Sequence, residues 1–369
     1  MEACTARNCA ALDGCGGRGK NQGMRCSIVP PYLLERLAAA AEEREYGTVA
    51  RAARRALVGA GTVHESRRAQ LLPELPAATA HDPRRTISDA ESTETLPGIP
   101  VRREGDPPDG DPAVDEAYDG LGAVFAYFDE AHRRNSIDGR GLPLQATVHY
   151  GEEYDNAFWD GERMVFGDGD GEIFRRFTVS LSVIGHELAH GVTQYTADLR
   201  YEGQSGAINE SLSDVFGVLV EQHRLRQDAG AATWLVGAGL FTDRISGVAL
   251  RSMAAPGTAY DDPLLGRDPQ PRHMEDYVDT ADDSGGVHIN SGIPNRAFAL
   301  AATAIGGFAW ETVGPVWYDT LTGGGLPRDC DFGTFASATV AAATRRWGRS
   351  TPEREAVVDA WRTVGIEPA

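Results

Sequence analysis

The sequence lacks any run of 18 apolar residues, so no segment is predicted to cross a membrane as a helix. Its first 30 residues also lack the short apolar core of a secretory signal peptide. We find no internal repeats. With 41% hydrophobic and 24% charged residues, the 369-residue chain has the composition of a soluble globular protein and is long enough for two domains.

Cysteine is scarce and lacks the spacing of a structural framework. Four of the 5 cysteines fall within the first 26 residues and the other is Cys330, with no C-x-x-C pair. This pattern predicts neither a disulfide framework nor a zinc ribbon. Residues 1–23 are predicted to be a disordered tail, or to precede a true start at Met24. A metal site formed by the N-terminal cysteines is the alternative.

A positive charge excess is also lacking, because the formal net charge is −19. This argues against a nucleic acid as partner. Residues 1–76 hold 11 basic and 8 acidic residues, a balance of +3, and the remainder holds 24 and 46, a balance of −22. The contrast favours a leading segment that docks on the rest of the chain. The alternative is that both are simply solvated faces.

Apolar periodicity predicts a strand-containing half followed by a helical half. Residues 60–112 have the composition of a linker with turns, open to proteolytic nicking. Strands are predicted at 144–150 and 163–166, separated by a turn-rich segment. Helices are predicted at 28–59, from the N-cap Asp111, and at 179–192, 206–226, 290–305, 332–347 and 352–364.

The strongest chemical motif is V-I-G-H-E-L-A-H-G, residues 183–191. His186 and His190 are four residues apart, so on a helix they project from one face at a separation that suits a single zinc ion. Glu187 follows the first histidine and would reach the attacking water. The alternative is a surface helix that matches a five-residue pattern by chance.

A second segment, G-A-I-N-E-S-L-S-D-V-F-G at 206–217, predicts another helix. Glu210, 20 residues past His190, would complete a His2Glu site with one open position. Asp214 and Asn209 would accept the free ring N–H groups of the histidines. A closed, four-ligand structural site is not indicated. A metzincin site is excluded because threonines occupy its glycine and third-histidine positions.

A third segment, D-S-G-G-V-H-I-N-S-G-I at 283–293, contains one more histidine. Its glycine pair would permit a tight approach to a helix start, where His288 would be presented with Asp283 as an orienting carboxylate. Taken alone, the segment favours an ordinary helix N-terminus with a satisfied histidine.

Together these motifs resemble those of the thermolysin-like neutral zinc metalloproteases, peptidase family M4. H-E-L-A-H, G-A-I-N-E-S-L-S-D, N-A-F-W at 156–159, G-D-G-D-G at 167–171 and G-G-V-H-I-N-S-G occur in the family's order and spacing. The match covers residues 85–366. It implies an α+β, two-domain fold with a β-rich N-terminal half, 81–195, and a mostly α-helical C-terminal half, 196–369. The zinc site would lie in the cleft between them.

The resemblance also implies a role for each matching catalytic residue. His186, His190 and Glu210 resemble the ligands of one catalytic zinc ion. Glu187 resembles the general base that deprotonates the attacking water. His288 and Tyr201 resemble the donors that stabilise the oxyanion.

Substrate-binding residues are implied in the same way. Asn156 and Ala157 resemble the edge-strand residues that bind an extended peptide backbone, and Arg251 resembles the arginine that binds a substrate carbonyl. An apolar pocket would favour a bulky hydrophobic residue just after the cleaved bond. Its lining would be formed by Phe174, Phe177, Val183, Val236, Leu240 and Leu250.

One departure from the family concerns calcium. The best-known members bind two calcium ions in a carboxylate cluster, of which only Glu221 remains here. The other positions are occupied by Ser182, Thr233, Leu235 and Ala238. Because calcium takes six to eight oxygen ligands, the double-calcium site is predicted to be absent.

The start of the chain resembles the protealysin-like subgroup, whose short propeptide carries a Pro-Pro-aromatic-Leu motif. Residues 26–34 read C-S-I-V-P-P-Y-L-L. The resemblance implies a short helical propeptide at 24–80, released by cleavage in an arginine-rich linker. Pro30, Pro31 and Tyr32 would lie along or beside the cleft, so the propeptide would act as an intramolecular inhibitor.

The sequence therefore predicts a zinc endopeptidase zymogen, a monomer that acts on protein or peptide substrates. Family resemblance implies secretion by a non-classical route, and the cytoplasm is the alternative. An inactive binding homologue would be expected to have lost Glu187, Tyr201 or His288, yet all three are present. A zinc aminopeptidase would need an acidic G-x-M-E-N-type strand, which the sequence lacks.

Overall fold

A computed structural model describes residues 27–69 and 81–369, and for 59–69 it describes the backbone alone. The predictions for residues 1–23, the N-terminal cysteines and Met24 lie outside the described residues. Residues 70–80, the end of the predicted propeptide, also lie outside the described residues. No helix in the described part of the chain combines the length and apolar character needed to cross a membrane.

The described chain begins with two packed helices, α1 (Pro31–Glu43) and α2 (Gly47–Ala69). Proline is favourable at the first helical position because its fixed φ suits the helix, and because an N–H group at that position would have no hydrogen-bond partner within the helix. The apolar face of α1, which includes Leu33, Leu34 and Leu37, is buried. The prediction of one helix over 28–59 is corrected, because the chain turns at 44–46 and α2 continues past residue 59.

A five-stranded sheet forms the first half of the body, in the order β2-β1-β3-β5-β4. The strands are β1 (Thr86–Asp89), β2 (Ile99–Arg103), β3 (Gln145–Val148), β4 (Ala157–Trp159) and β5 (Met164–Phe166). The strands predicted at 144–150 and 163–166 are confirmed. Because β4 pairs antiparallel with β5 at the end of the sheet, its other edge is left to contact a non-sheet segment.

Three strands correct the sequence-based expectations. β1 and β2 lie inside the predicted linker at 60–112, and β4 lies inside the segment that was predicted to be turns. These strands have three to five residues each; β1 and β2 carry polar side chains or a proline, and β4 is only three residues long. Each of these strands is stabilised mainly by its neighbours in the sheet, so its own sequence gives little indication of a strand.

The remainder of the body is mostly helical. Asp111 caps α3 by accepting hydrogen bonds from the N–H groups of Ala113 and Val114 at 2.7 and 3.1 Å. The helices are α3 (Pro112–His132), α4 (Leu181–Gln194), α5 (Gly203–Leu225), α6 (Asp283–Asn290), α7 (Gly292–Ile305), α8 (Gly314–Thr322), α9 (Phe332–Trp347) and α10 (Pro352–Thr363). Short strand pairs are β6 (Leu235–Val236) with β7 (Arg251–Ser252), and β8 (Asp261–Asp262) with β9 (Gly266–Arg267).

These elements confirm the expected α+β fold with a β-containing first half and a helical second half. The patterns at 179–192, 206–226, 290–305, 332–347 and 352–364 correspond to α4, α5, α7, α9 and α10. A helix start was predicted within 283–293, where α6 lies, but α8 was not predicted. The domain limits at 81, 195 and 196 stay predictions.

α4 and α5 cross at unusually short range because each carries a glycine at the crossing. A Cβ atom on Gly217 would lie 2.4 Å from the carbonyl oxygen of Ser182, and one on Gly185 would lie 2.8 Å from Cα of Gly217. Neither position can hold a larger residue unless the helices separate. The crossing brings the histidines of α4 against the acidic face of α5.

We expect Gly217→Ala to lower the free energy of unfolding by about 1–3 kcal/mol, because the added methyl group forces the two helices apart. Urea unfolding followed by tryptophan fluorescence measures this. Gly333→Ala in α9 is the matched control, since the nearest atom to its Cβ would be Oδ1 of Asp331 at 3.8 Å. An unchanged midpoint for Gly217→Ala would show that the helices are not held at this distance.

Candidate active site

His186 and His190 lie on the face of α4 that packs against α5. Both side chains are buried, and their Nε2 atoms are 3.0 Å apart. Glu210 of α5 places Oε2 3.5 Å from Nε2 of His186 and Oε1 3.5 Å from Nε2 of His190. Donor atoms of His186, Glu187 and His190 also lie within 4.8 Å of one another. The predicted zinc ligands are therefore together, and Glu187 adjoins them.

The hydrogen bonds of the two rings decide which nitrogen carries a lone pair. Nδ1 of His186 is 2.8 Å from Oδ1 of Asp214, and Nδ1 of His190 is 2.9 Å from Oδ1 of Asn209. Since both oxygens accept, each Nδ1 carries the hydrogen of a neutral ring and each Nε2 presents a lone pair. Two converging lone pairs beside a carboxylate repel one another and suit one Zn²⁺ ion, so this donor set fits that metal.

Negative charge at Glu210 is retained despite complete burial. Burial alone would raise the pKa of this carboxyl, but its electrostatic interactions with the rings of His288, His190 and His186 lower it to about 2. Burial also opposes ionisation of Asp214, yet Arg251 and His186 hold its pKa well below the usual range. Both groups are therefore carboxylates at neutral pH.

Asp214 is held by more partners than the sequence suggested. Arg251 donates from Nε and Nη2 to its two oxygens, each at 2.8 Å, and Nδ2 of Asn295 donates to Oδ2 at 2.8 Å. Oγ of Ser213 lies 2.9 Å from Nδ1 of His190. Ser213 could have been found from its place one helical turn after Asn209. Asn295 offers no such signal, because it lies 81 residues from Asp214.

Glu187 is positioned by the sheet as well as by its helix. Its side chain is buried, and Oε2 accepts a hydrogen bond from the backbone N–H of Trp159 at 3.0 Å. Trp159 is the last residue of β4, so the carboxylate lies between the histidines and the edge strand. Sequence reasoning missed this contact, because a backbone donor leaves no mark on residue type.

His288 and Tyr201 complete the cluster around Glu210. Asp283 accepts from the backbone N–H of His288 at 2.9 Å and contacts its Nδ1 at 2.6 Å. The hydroxyl of Tyr201 donates to Oε1 of Glu210 at 2.5 Å and lies 3.2 Å from Nε2 of His288. Burial lowers the pKa of His288, but Glu210 and Asp283 raise it to about 9. At neutral pH this ring is therefore a cationic donor.

A strained turn presents His288 to the cluster. Asp283, Ser284, Gly285 and Gly286 all have positive φ, from 52° to 86°. A Cβ on Gly285 would lie 3.0 Å from the backbone N of Gly203, so glycine is required for the approach to α5. The glycine pair therefore has the role that the sequence indicated.

The N-terminal segment lies along the free edge of β4. The N–H of Ile28 donates to the carbonyl oxygen of Ala157 at 3.3 Å, and the carbonyl oxygen of Ile28 accepts from Nη1 of Arg251 at 3.2 Å. Both side chain and backbone of this residue are buried, with 0% exposure. Ile28 is thus held by two of the residues that were predicted to bind substrate.

Asn156 holds the neighbouring residues through its amide. Oδ1 accepts from the N–H of Val29 at 3.1 Å, while Nδ2 donates to the carbonyl oxygen of Val29 at 3.2 Å and to Oγ of Ser27 at 3.1 Å. Pro30 and Pro31 follow at the start of α1, and Tyr32 hydrogen-bonds with Tyr260. Burial raises the pKa of the Tyr32 phenol well above its usual value.

The six predicted pocket residues are all buried in the core cluster that also contains Ile28. The rings of Phe174 and Phe177 have centroids 5.6 Å apart, and the N–H of Leu250 donates to the carbonyl oxygen of Val236 at 3.0 Å. The pocket's role in specificity stays a prediction. So does the lack of a double-calcium site, where Ser182 hydrogen-bonds with Glu221.

Comparison with known proteins gives consistent matches. The family model described as thermolysin metallopeptidase, catalytic domain, matches residues 101–194, and that described as thermolysin metallopeptidase, alpha-helical domain, matches residues 197–366. An extracellular metalloprotease of Pectobacterium carotovorum subsp. carotovorum is 51% identical over 344 residues, which is 93% of this chain and 96% of that protein. Protease PrtS of Photorhabdus sp. (strain Az29) is 52% identical over 80% of this chain and 78% of its own.

A solved structure agrees with these sequence matches. The precursor of protealysin, a metalloproteinase from Serratia proteamaculans, superimposes with a TM-score of 0.84 at 51% sequence identity. The match covers 93% of this chain and 100% of that chain. It therefore includes the N-terminal helices as well as the two-part body.

We expect Asn209→Ala to weaken zinc binding about 10- to 100-fold, because the ring of His190 loses the amide that fixes its tautomer. Competition with a chelator of known zinc affinity measures the loss. Ser213→Ala is the matched control, since it retains the amide acceptor. Equal zinc affinity in Asn209→Ala and wild-type protein would refute this role for Asn209.

Proposed function

This chain belongs to the thermolysin family of metallopeptidases, and on that premise we propose that it is the precursor of an enzyme that cleaves peptide bonds before bulky hydrophobic residues. Family membership itself makes it a zinc metalloendopeptidase. One observation carries the finer proposal. Residues 27–29 lie in hydrogen-bonding contact with Asn156, Ala157 and Arg251, and Arg251 also binds Asp214, the hydrogen-bond partner of His186.

His186, His190 and Glu210 would hold the zinc ion. Bound there, zinc supplies a Lewis acid that polarises a carbonyl and lowers the pKa of water. Asp214 and Asn209 keep the two Nε2 lone pairs directed at the site. Their contacts also prevent the rings from turning away when a substrate enters.

Glu187 is the proposed general base. In this role its carboxylate accepts the proton of the attacking water and delivers it to the leaving amine. The N–H of Trp159 binds one carboxylate oxygen and so fixes its orientation. His288 and Tyr201 would donate hydrogen bonds to the developing oxyanion, each contributing about 3 kcal/mol to the lowering of the barrier.

We expect Glu187→Gln to reduce peptide hydrolysis at least ~100-fold, because an amide cannot accept the proton. Zinc content should be unchanged, since the proposed ligands are intact. Mass spectrometry of a digested peptide mixture measures the loss.

In the wild-type digest, mass spectrometry should also show a bulky hydrophobic residue on the C-terminal side of most cleaved bonds. Full activity of Glu187→Gln would refute the assignment of the base, and a digest without this preference would refute the pocket.

The contacts of residues 27–29 support a substrate that binds as an extended chain along β4. On the side of the bound segment these contacts are made mainly by backbone atoms, so any extended peptide can make them. The site would therefore recognise the direction of the chain instead of its sequence. The side chain at the position of Ile28 would then decide specificity. The six buried apolar residues are the proposed lining of its pocket.

A peptide held in this way blocks access by other peptides, so the N-terminal segment would act as an inhibitor. α1 and α2 anchor it on the body: Arg55 donates to the carbonyl oxygen of Glu152, and the guanidinium of Arg244 lies 5.5 Å from the ring centre of Tyr46. Pro31 lacks an N–H, which makes the Pro30–Pro31 bond a poor substrate. We propose release by cleavage after α2, in the arginine-rich linker, with secretion supported by the relatives that are named extracellular.

We expect Ile28→Asp to shorten the delay before activity appears, because a buried isoleucine contributes about 1.5–3 kcal/mol to docking and a buried carboxylate opposes it. The measurement is a time course of peptide hydrolysis from freshly purified protein, with the chain mass followed in parallel. Val58→Asp on α2 is the matched control, because that side chain is 77% exposed. The same delay in Ile28→Asp, Val58→Asp and wild-type protein would contradict inhibition by this segment.

A further inference from the structure

Two aspartates outside the zinc-donor cluster meet in the interior beside β4. Asp155 has 0% exposure, and its Oδ1 accepts the backbone N–H of Asp170 at 2.8 Å. Oδ1 of Asp170 in turn accepts the N–H groups of Glu172, Ile173 and Phe174 at 3.0, 2.7 and 3.0 Å. One oxygen of each carboxyl group is thus used to fold the turn at 167–174.

The second oxygen of each group is differently placed. Oδ2 of Asp155 and Oδ2 of Asp170 are both buried, and neither has a hydrogen-bond partner among the residues that the structure describes. Each group has its donors at Oδ1 alone, and burying the second oxygen of a charged carboxylate without a donor is unfavourable. A proton on one of them removes a charge and supplies a donor.

The charges around the pair favour such a proton. Burial and then the charge of Asp170 raise the pKa of Asp155 well above its usual value, and Glu153 acts in the same direction. Burial also raises the pKa of Asp170, although the backbone N–H groups of Ile173 and Phe174, and to a smaller extent Arg244, oppose this. Arg244 is already paired with Glu172. On the neighbouring side, Asp168 is paired with His149 at 2.8 Å.

The pair connects two parts of the proposed substrate site. The N–H of Asp170 donates to Asp155, and two more backbone bonds join the same segments. The N–H of Gly169 donates to the carbonyl oxygen of Tyr154 at 3.2 Å, and the N–H of Gly167 donates to the carbonyl oxygen of Asn156 at 3.0 Å. The position of Asn156 is therefore tied to the turn at 167–174. This turn also carries Phe174 of the proposed pocket.

We propose that Asp155 carries a proton at neutral pH and is a positioning residue, which holds Asn156 in place for the substrate backbone through the turn at Asp170. This inference rests on the proposed role of Asn156. Loss of the proton from Asp155 to solvent at alkaline pH leaves a buried negative charge close to the half-buried carboxylate of Asp170. Their repulsion separates the segment at 154–156 from the turn, so that peptide binding weakens.

Asp155→Asn tests the proposal, because an amide retains the acceptor for Asp170 and cannot ionise. Enzyme matured from the full chain is assayed on one peptide from about pH 6 to about pH 10, with kcat and KM measured separately. Relative to Asp155→Asn, we expect the KM of wild-type enzyme to rise about 3- to 10-fold toward alkaline pH, as the loss of one hydrogen bond implies. The kcat ratio should change less.

Two further variants separate this effect from general damage. Asp155→Ala removes the acceptor, so its KM should be raised throughout the range. Asp168→Asn is the matched control, since it removes a partly exposed carboxylate from the same turn, and its KM should follow the wild-type profile. A constant ratio of KM between wild-type and Asp155→Asn enzyme would overturn the positioning role. A complete lack of peptide hydrolysis by wild-type enzyme would instead refute the proposed function.

Unfolding of the full chain provides a readout that does not need activity. A raised folded-state pKa means that stability is greatest below the unfolded-state value and declines as the pH rises through the folded-state value. In a Glu187→Gln background, with the full length of the chain checked by mass, wild-type Asp155 should therefore cause an alkaline decline in the urea midpoint that Asp155→Asn lacks. Parallel declines would overturn the protonated state. A calcium-dependent rise in the midpoint, present with Asp155 and absent in Asp155→Asn, would also overturn it, by indicating a cation between the carboxylates.

Discussion

The carboxylate of Asp214 is the interaction on which the rest of the site depends. It is fully buried, and a charge in that position is tolerable only because Arg251, Asn295 and His186 together satisfy both of its oxygens. Through it, the ring orientation of His186 and the position of Arg251 are fixed together. His186, a proposed metal ligand, and Arg251, which binds the carbonyl oxygen of Ile28, therefore share one anchor that keeps their separation constant.

The edge strand β4 imposes the second constraint. On one side the N–H of Trp159 orients Glu187, and on the other the carbonyl oxygen of Ala157 binds Ile28. Since Glu187 and Ile28 both bind the backbone of this three-residue strand, the strand fixes their relative positions. The contacts of Ile28 and Val29 with Ala157, Arg251 and Asn156 are made by the backbone atoms of these two residues. Another extended chain can make the same contacts, which is the basis of the proposed substrate role.

Much of the site was predictable because its chemistry is local. The spacing of His186 and His190 places them on one helical face. The start of α3 was predictable because Asp111 is a favourable N-cap and is followed by proline at the first helical position. Glu210 and His288 were singled out from their segments of sequence, and the family resemblance added Tyr201 and a role for each, although these roles stay predictions. The linker expected at 60–112 was wrong for β1 and β2. Short strands with polar residues are stabilised by neighbours that lie far away in sequence, so local composition indicated turns.

By itself, the sequence determined the fold class, the zinc-donor motif and the family, because helical periodicity and residue type are written in consecutive positions. Only the tertiary structure decided which groups support those donors. Asn295 binds Asp214 across 81 residues, and Val29 binds Asn156 across 127. The pairing of Asp155 with Asp170 likewise depends on the path of a turn. Such contacts join segments that are far apart in the sequence, and no local sequence pattern indicates which segments will meet.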